Sequence, residues 1–68
     1  MNEEEVLERL AEVEHEQWMS WSQSVAEEVS AEQRQRWQEC WVPYVDLPEE
    51  VKELDRQWAR KVLEALRR

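Results

Sequence analysis

Few residues in this 68-residue chain are suited to chemistry. It contains one histidine, His15, one cysteine, Cys40, and no glycine. Without glycine, the chain cannot form the Gly-rich loops that bind phosphate or the tight turn that presents a nucleophilic serine. One histidine and one cysteine cannot build a structural zinc site. General acid–base work by Glu14 or His15 is the chief route left to catalysis. We therefore expect no enzyme activity, no cofactor and no metal.

Glu14 is an acidic residue in an apolar stripe. It lies between Leu10 and Trp18, at the spacing that places side chains on one face of a helix. An unpaired carboxylate on such a face is costly to bury. The sequence therefore predicts a buried ion pair with Arg56 or Arg60, hydrogen bonds from Glu14 to a bound polar ligand, or both.

The aromatic side chains indicate either a ligand-binding wall or an interface between subunits. Trp18 and Trp58 fall in the middle of apolar stripes, where packing in the core is expected. Other aromatic residues cluster in sequence around two helix ends and the prolines: Trp21, Trp37, Trp41 and Tyr44. Indole stacks on a nucleobase, and a nearby guanidinium, from Arg34 or Arg36, suits a phosphate. Tryptophan and tyrosine are also enriched at protein interfaces, so both interpretations stay open.

Composition and charge exclude several classes of partner. The net charge of −8 and the pI near 4.6 argue against binding of nucleic-acid polymers and against attraction to anionic membranes. No signal peptide or membrane-spanning run is visible, and a lone cysteine suits a reducing compartment, so we expect a cytoplasmic protein. A chain of this size is marginally stable alone, and we expect a homodimer or a larger homo-oligomer.

Hydrophobic periodicity and capping signals predict one all-α domain over residues 1–68, with three helices. The first runs from Glu3 to about Val29, the second from Ser30 to about Cys40, and the third from Pro48 to about Leu66. Because proline restricts the residue before it, we predict an extended proline-containing loop from Trp41 to Leu47 between helices 2 and 3. The predicted buried stripe of the third helix comprises Val51, Leu54, Trp58, Val62, Ala65 and Leu66.

Two blocks of the sequence resemble the RyR domain, a module named for its repeats in ryanodine receptors. Residues 10–18 read LAEVEHEQW and are similar to its L-A-x-x-E-H-E-x-W opening. Residues 36–56 contain CWVPY, LPEE and DR in the order of its V-P-Y, L-P and D-R segment. The chain departs from the family between these blocks, where a glycine-containing stretch is missing. It also has Gln38-Glu39 where the family has a histidine–proline pair, and Gln17 where an arginine is common.

The resemblance implies helical packing around the V-P-Y loop and binding of a nucleotide-derived messenger of the kind used in prokaryotic defence. A free-standing domain is suited to sequestering such a molecule, as small phage anti-defence proteins do. A TIR-generated cyclic ADP-ribose isomer is the first expectation and a cyclic dinucleotide the second. The alternatives are a protein-interaction module and a small hydrolase of the same messengers. The predicted ligand-binding residues are Glu14, His15, Trp18, Trp21, Arg34, Arg36, Trp41, Tyr44 and Arg56, with arginines on phosphate, aromatic rings on the base, and Glu14 or His15 on base or ribose.

Overall fold

The computed structural model describes all 68 residues. Its three helices are α1 (Glu3–Ser24), α2 (Ala31–Gln38) and α3 (Glu49–Leu66), and it contains no strand. Short 3-10 turns follow α1, at Ala26–Glu28, and precede α3, at Tyr44–Asp46. The predicted all-α class and the number of helices are confirmed. None of the helices combines the length and the apolar composition that a membrane span requires.

Side-chain caps mark the starts of the first two helices. Asn2 accepts a hydrogen bond from the Glu5 backbone N–H at 2.8 Å, and the Ser30 Oγ accepts one from the Gln33 backbone N–H at 3.1 Å. Ser30 and Gln33 have the spacing of a capping box, but the reciprocal bond from the Gln33 side chain is not formed, since its Oε1 accepts from Arg36 instead. These caps satisfy amides that have no partner inside the helix.

The predicted end of the first helix and the predicted conformation of the proline-containing loop were wrong. The first helix ends at Ser24 rather than at Val29, and the Ser24 hydroxyl donates to the Trp21 carbonyl, a local bond that competes with continued helix. The stretch before α3 is not extended throughout. Pro43 and Leu47 are extended, but the backbone between them closes a 3-10 turn in which the Leu47 N–H donates to the Tyr44 carbonyl at 3.1 Å.

The apolar core is small and lies between α1, α3 and the segment before α3. Its buried residues are Ala11, Tyr44, Leu47 and Ala59. Ala11 and Ala59 have no exposed surface, and alanines at these positions let two helices approach closely. Helix α2 contributes no buried residue. The fold therefore depends mainly on the packing of α3 against α1.

The predicted buried stripe of α3 is displaced around the helix. Ala59 is its one fully buried residue, whereas Leu54 and Trp58 are each 59 % exposed and Leu66 is 74 % exposed. The stripe is wider than the surface that α1 covers, and α3 turns its alanine rather than its largest side chains towards α1. The sequence had suggested that Trp58 is a core residue. In the structure it is instead part of an open apolar surface.

A four-residue strap, Trp41–Tyr44, is hydrogen-bonded to one face of α1. The Trp41 Nε1–H donates to the Ser22 Oγ at 3.0 Å, His15 Nε2 bonds the Val42 carbonyl at 2.6 Å, and the Tyr44 hydroxyl donates to Glu8 at 2.8 Å. The three α1 positions are seven residues apart, so they lie on one side of the helix. Their span is about 21 Å, whereas four extended residues reach about 10 Å from first to last Cα. The long side chains of Trp41 and Tyr44 supply the remaining reach.

Arg56 joins α3 to the same face of α1. Its Nε donates to Glu8 at 2.5 Å and its Nη1 to Glu49 at 3.0 Å. The hydrogen bond from Arg56 is the main reason that the pKa of Glu8 lies below its ordinary value, with a further contribution from Tyr44. The predicted ion pair of Glu14 with Arg56 or Arg60 was wrong, since Arg60 binds Glu53. Glu14 takes part in none of the ion pairs of the structure.

Titration of the single tyrosine tests this arrangement. Burial, followed by the hydrogen bond and charge of Glu8, raises the pKa of Tyr44 to about 12. This value exceeds the pKa of about 10 for an unfolded tyrosine, so the phenol's contribution to stability is complete below pH 10 and is lost as the pH rises towards 12. We expect tyrosinate absorbance to appear near pH 12. Glu8→Gln should lower that midpoint, and Glu12→Gln, at an exposed position, should not. A wild-type midpoint near 10 with helical circular dichroism intact would contradict the structure.

Candidate functional site

A groove of about 510 Å³ lies between α1 and α3. This volume falls within the range of about 300–1,000 Å³ that is usual for small-molecule sites. Helix α1 forms one side and α3 the other, and Cys40, from the segment after α2, also lines the groove. Its ten lining residues are Glu14, His15, Gln17, Trp18, Trp21, Cys40, Val51, Leu54, Asp55 and Trp58.

Three tryptophans dominate the groove. Trp18 is half-buried, while Trp21 and Trp58 are more than half exposed. On α2, Trp37 supports the α1 side from behind: its ring lies edge-on to Trp18 at 6.1 Å between centroids and tilted against Trp21 at 5.7 Å. Such contacts hold the indoles in place and leave ring surface open to a flat ligand.

The polar floor of the groove is the pair His15 and Asp55. Only 2 % of His15 is exposed, and its Nδ1 lies 3.7 Å from Asp55 Oδ2, beyond hydrogen-bond distance. Asp55 Oδ2 is buried and has no hydrogen-bond partner. Burial raises the pKa of Asp55; the charge of His15 opposes this and that of Glu14 adds to it. Asp55 thus lines the groove, while one of its carboxylate oxygens is enclosed by protein and makes no hydrogen bond.

The charges at the groove are unevenly distributed. Glu14 and Asp55 line it, and none of the lining residues is a lysine or an arginine. A cation lies beside it, since the Lys61 ammonium is 4.3 Å from the centroid of the Trp58 ring. The interior therefore favours neutral or cationic groups that donate hydrogen bonds, and an anionic group is more favourably placed at the rim near Lys61.

Of the predicted ligand-binding residues, the structure brings Glu14, His15, Trp18 and Trp21 together in the groove. Arg34 and Arg36 do not line it, because both bond locally. The Arg34 Nε donates to the Ala26 carbonyl at 2.8 Å, and Arg36 donates to Gln33 at 3.0 Å.

The remaining predicted ligand-binding residues also lie outside the groove. Trp41 and Tyr44 belong to the strap on α1, and Arg56 is held between α1 and the start of α3. Their polar atoms are engaged within the fold. They therefore stabilise the fold and do not line the groove.

Sequence reasoning missed Asp55, and it assigned Trp58 to the core. A signal for Asp55 was present: it lies four residues from Val51 and from Ala59, so it interrupts an apolar face in the same way as Glu14. For Trp58 no local signal existed, because its exposure depends on how α3 is rotated against α1. No group of three His, Cys, Asp or Glu side chains is placed to hold a metal ion.

The reactivity of the Cys40 thiol reports on the electrostatics of the groove. Burial, together with the charges of Glu39 and Asp55, raises the pKa of Cys40. The thiolate fraction at pH 8 should therefore be smaller than for an unfolded cysteine, whose pKa is about 8.5. We expect slow alkylation by iodoacetamide at pH 8, accelerated by Asp55→Asn and unaffected by Asp46→Asn. Equal rates for the folded chain and for the chain unfolded in urea would contradict this description.

No family model, no curated protein and no solved structure matches the chain. The resemblance to the RyR domain accordingly depends on the two motif blocks alone, and it enters the functional argument as a proposal.

Proposed function

We propose that this chain binds a nucleotide-derived signalling molecule in the groove between α1 and α3 and sequesters it without turnover. The observation that supports this most directly is the combination of three tryptophans with an unpartnered carboxylate oxygen, that of Asp55, in a groove of about 510 Å³. Stacking of a base on an aromatic side chain contributes about 1–3 kcal/mol. A base inserted here covers exposed indole and brings its polar edge to Asp55.

The two motif blocks that resemble the RyR domain meet at the floor of this groove. His15, from the first block, bonds Val42 and faces Asp55, both from the second. This contact supports the proposal that the chain is a compact RyR-like domain. In this proposal the chain acts as a phage anti-defence sponge for a cyclic ADP-ribose isomer, a related ADP-ribose derivative or a cyclic nucleotide.

The phosphates of such a ligand would lie outside the groove. Its interior contains Glu14 and Asp55 but no cation, so a phosphate placed there would be repelled. The Lys61 ammonium at the Trp58 ring is the cation that a phosphate at the rim can reach. In this proposal Lys61 takes the role that the sequence suggested for Arg34, Arg36 or Arg56.

The pairing of His15 with Asp55 favours one competing function, a hydrolase that uses general acid–base catalysis. In catalytic His–Asp pairs, one ring nitrogen faces the carboxylate and the other faces the reacting atom. Here the second nitrogen, Nε2, bonds the Val42 carbonyl inside the fold. Neither nitrogen is thus free to exchange a proton with a substrate while oriented by Asp55, and binding without turnover is the better proposal.

Calorimetry against a panel of ligands tests the proposed function. The panel comprises ADP-ribose, cyclic ADP-ribose and its isomers, and cyclic dinucleotides. We expect saturable binding of at least one of them, weakened about 5- to 150-fold by Trp58→Ala, since one stacking contact contributes about 1–3 kcal/mol. Because Trp58 is exposed, this variant should keep its fold, which circular dichroism can check.

Two outcomes of this experiment would count against the proposal. Absence of heat with every ligand would contradict binding. Recovery of a chemically altered ligand after heat denaturation of the complex would show turnover and favour the hydrolase.

Lysine and arginine variants locate the phosphate. We expect Lys61→Ala to weaken binding several-fold, and more at low than at high salt, because an exposed charge is screened by ions. Arg36→Ala is the matched control: it also removes one exposed cation, but from α2, and it should leave affinity unchanged. The opposite result, loss of binding in Arg36→Ala alone, would move the ligand to the α2 side and agree with the expectation from the sequence.

We also propose that the open face of the groove contacts a second copy of the chain. The surface area of 5283 Å² exceeds the roughly 4,600 Å² expected of a compact monomer of this mass, and Leu54 and Trp58 belong to the excess apolar surface. Sedimentation equilibrium should give a mass above the 8.4 kDa of one chain. Leu54→Glu should reduce that mass to the monomer value. A monomer mass for the unaltered chain at all concentrations would contradict the proposed homo-oligomer.

A further inference from the structure

The groove between α1 and α3 combines open aromatic surface with unbalanced negative charge. We infer that it selects a positively charged aromatic ring, of the kind in which a ring nitrogen carries a carbon substituent. The inference goes beyond the proposed function, because it specifies the charge of the bound ring and does not require the ligand to be a nucleotide.

Three indoles supply the surface that attracts such a ring. Trp18 and Trp21 line the groove from α1 and Trp58 lines it from α3, and more than half of Trp21 and of Trp58 is exposed. The face of an aromatic ring carries negative charge density that attracts cations, and tryptophan does so most strongly. A flat ring between the two helices therefore gains more from contact with these indoles when it is positively charged.

The Trp58 ring already attracts a cation within the fold. The Lys61 ammonium lies 4.3 Å from the centroid of this ring, inside the distance of about 6 Å at which such contacts are attractive. Lys61 takes part in none of the ion pairs of the structure. The partner of its charge is therefore the indole and not a carboxylate.

Two acidic residues give the groove a negative charge that no lining residue balances. Glu14 and Asp55 line it, and its lining contains no lysine or arginine. Glu14 takes part in no ion pair, and the net charge of the chain is −8. Because charges interact through space, both carboxylates attract a cation in the groove without its having to touch the enclosed oxygen of Asp55.

The hydrogen-bonding capacity of the groove favours a cationic ring over an alkylammonium. An alkylammonium such as that of lysine has three N–H donors, and burying it without acceptors is costly. The groove offers few acceptors, because one carboxylate oxygen of Asp55 is enclosed by protein and most of the lining side chains are apolar. A ring with a fully substituted nitrogen has no donor at its charged atom, and it presents a flat surface to the indoles. Such a ring therefore enters the groove at a smaller cost in lost hydration.

Two phosphate-free probes with the same ring test the inference on the unaltered chain. The probe 1-methylnicotinamide is a permanent cation, and nicotinamide is its neutral counterpart. Titration of the isotope-labelled protein, followed by the indole N–H signals in NMR spectra, measures both affinities. We expect the cation to bind about 5- to 30-fold more tightly, which corresponds to about 1–2 kcal/mol of cation–π attraction, and to shift the signals of Trp18, Trp21 and Trp58. Equal or weaker binding of the cation, or no shift with either probe, would overturn the inference and leave the proposed function intact.

A pair of charge variants on α1 supplies a second readout. Glu14→Gln removes a carboxylate that lines the groove, so it should reduce the preference for 1-methylnicotinamide over nicotinamide several-fold, and more at low than at high salt. Glu16→Gln is the matched control. It also removes one negative charge from α1, but from an exposed position two residues further along, on another side of the helix, and it should keep the wild-type preference. An unchanged preference in a Glu14→Gln variant with intact helical circular dichroism would overturn the inference.

Discussion

The hydrogen bond between His15 and the Val42 carbonyl is the interaction on which the rest of this small fold depends. It is the middle of three bonds that fix the strap to α1, and it lies between those of Trp41 and Tyr44. A buried carbonyl without a partner costs about 1–3 kcal/mol, a large loss for a chain of this size. By fixing the segment that leads into α3, the strap also sets where α3 begins its contact with α1.

The position of α3 has both a structural and an electrostatic consequence. Because Ala59 packs in the core, Leu54 and Trp58 are left beside α1 without a cover, and the groove forms between them and the α1 tryptophans. Arg56 is meanwhile held by Glu8 and Glu49, which removes a cation from the groove. The position of α3 thus produces both an open aromatic surface and an acidic interior of the groove.

Helices were predictable from the sequence because their signals are local. The type of each element is determined within a few positions by the helical periodicity of the apolar residues, by the Ser30 cap and by the prolines. The rotation of α3 was not predictable, since its apolar stripe is wider than the area α1 covers and several rotations satisfy the pattern. The partners of Arg56 were equally hidden, because a bond to Glu8 crosses 48 positions. Glu14 and His15 were predicted as site residues from interrupted periodicity and from the motif, and both line the groove. Asp55 interrupts an apolar face in the same way as Glu14, but it was not among the predicted site residues.

His15 connects the strap with the groove between α1 and α3. One nitrogen bonds the Val42 carbonyl of the strap and the other faces Asp55, so the same ring takes part in both contacts. A ligand that binds the folded state alone shifts the folding equilibrium by mass action. For a chain whose buried apolar core comprises four residues, a ligand bound in the groove, as we propose, would stabilise the fold by this mass action.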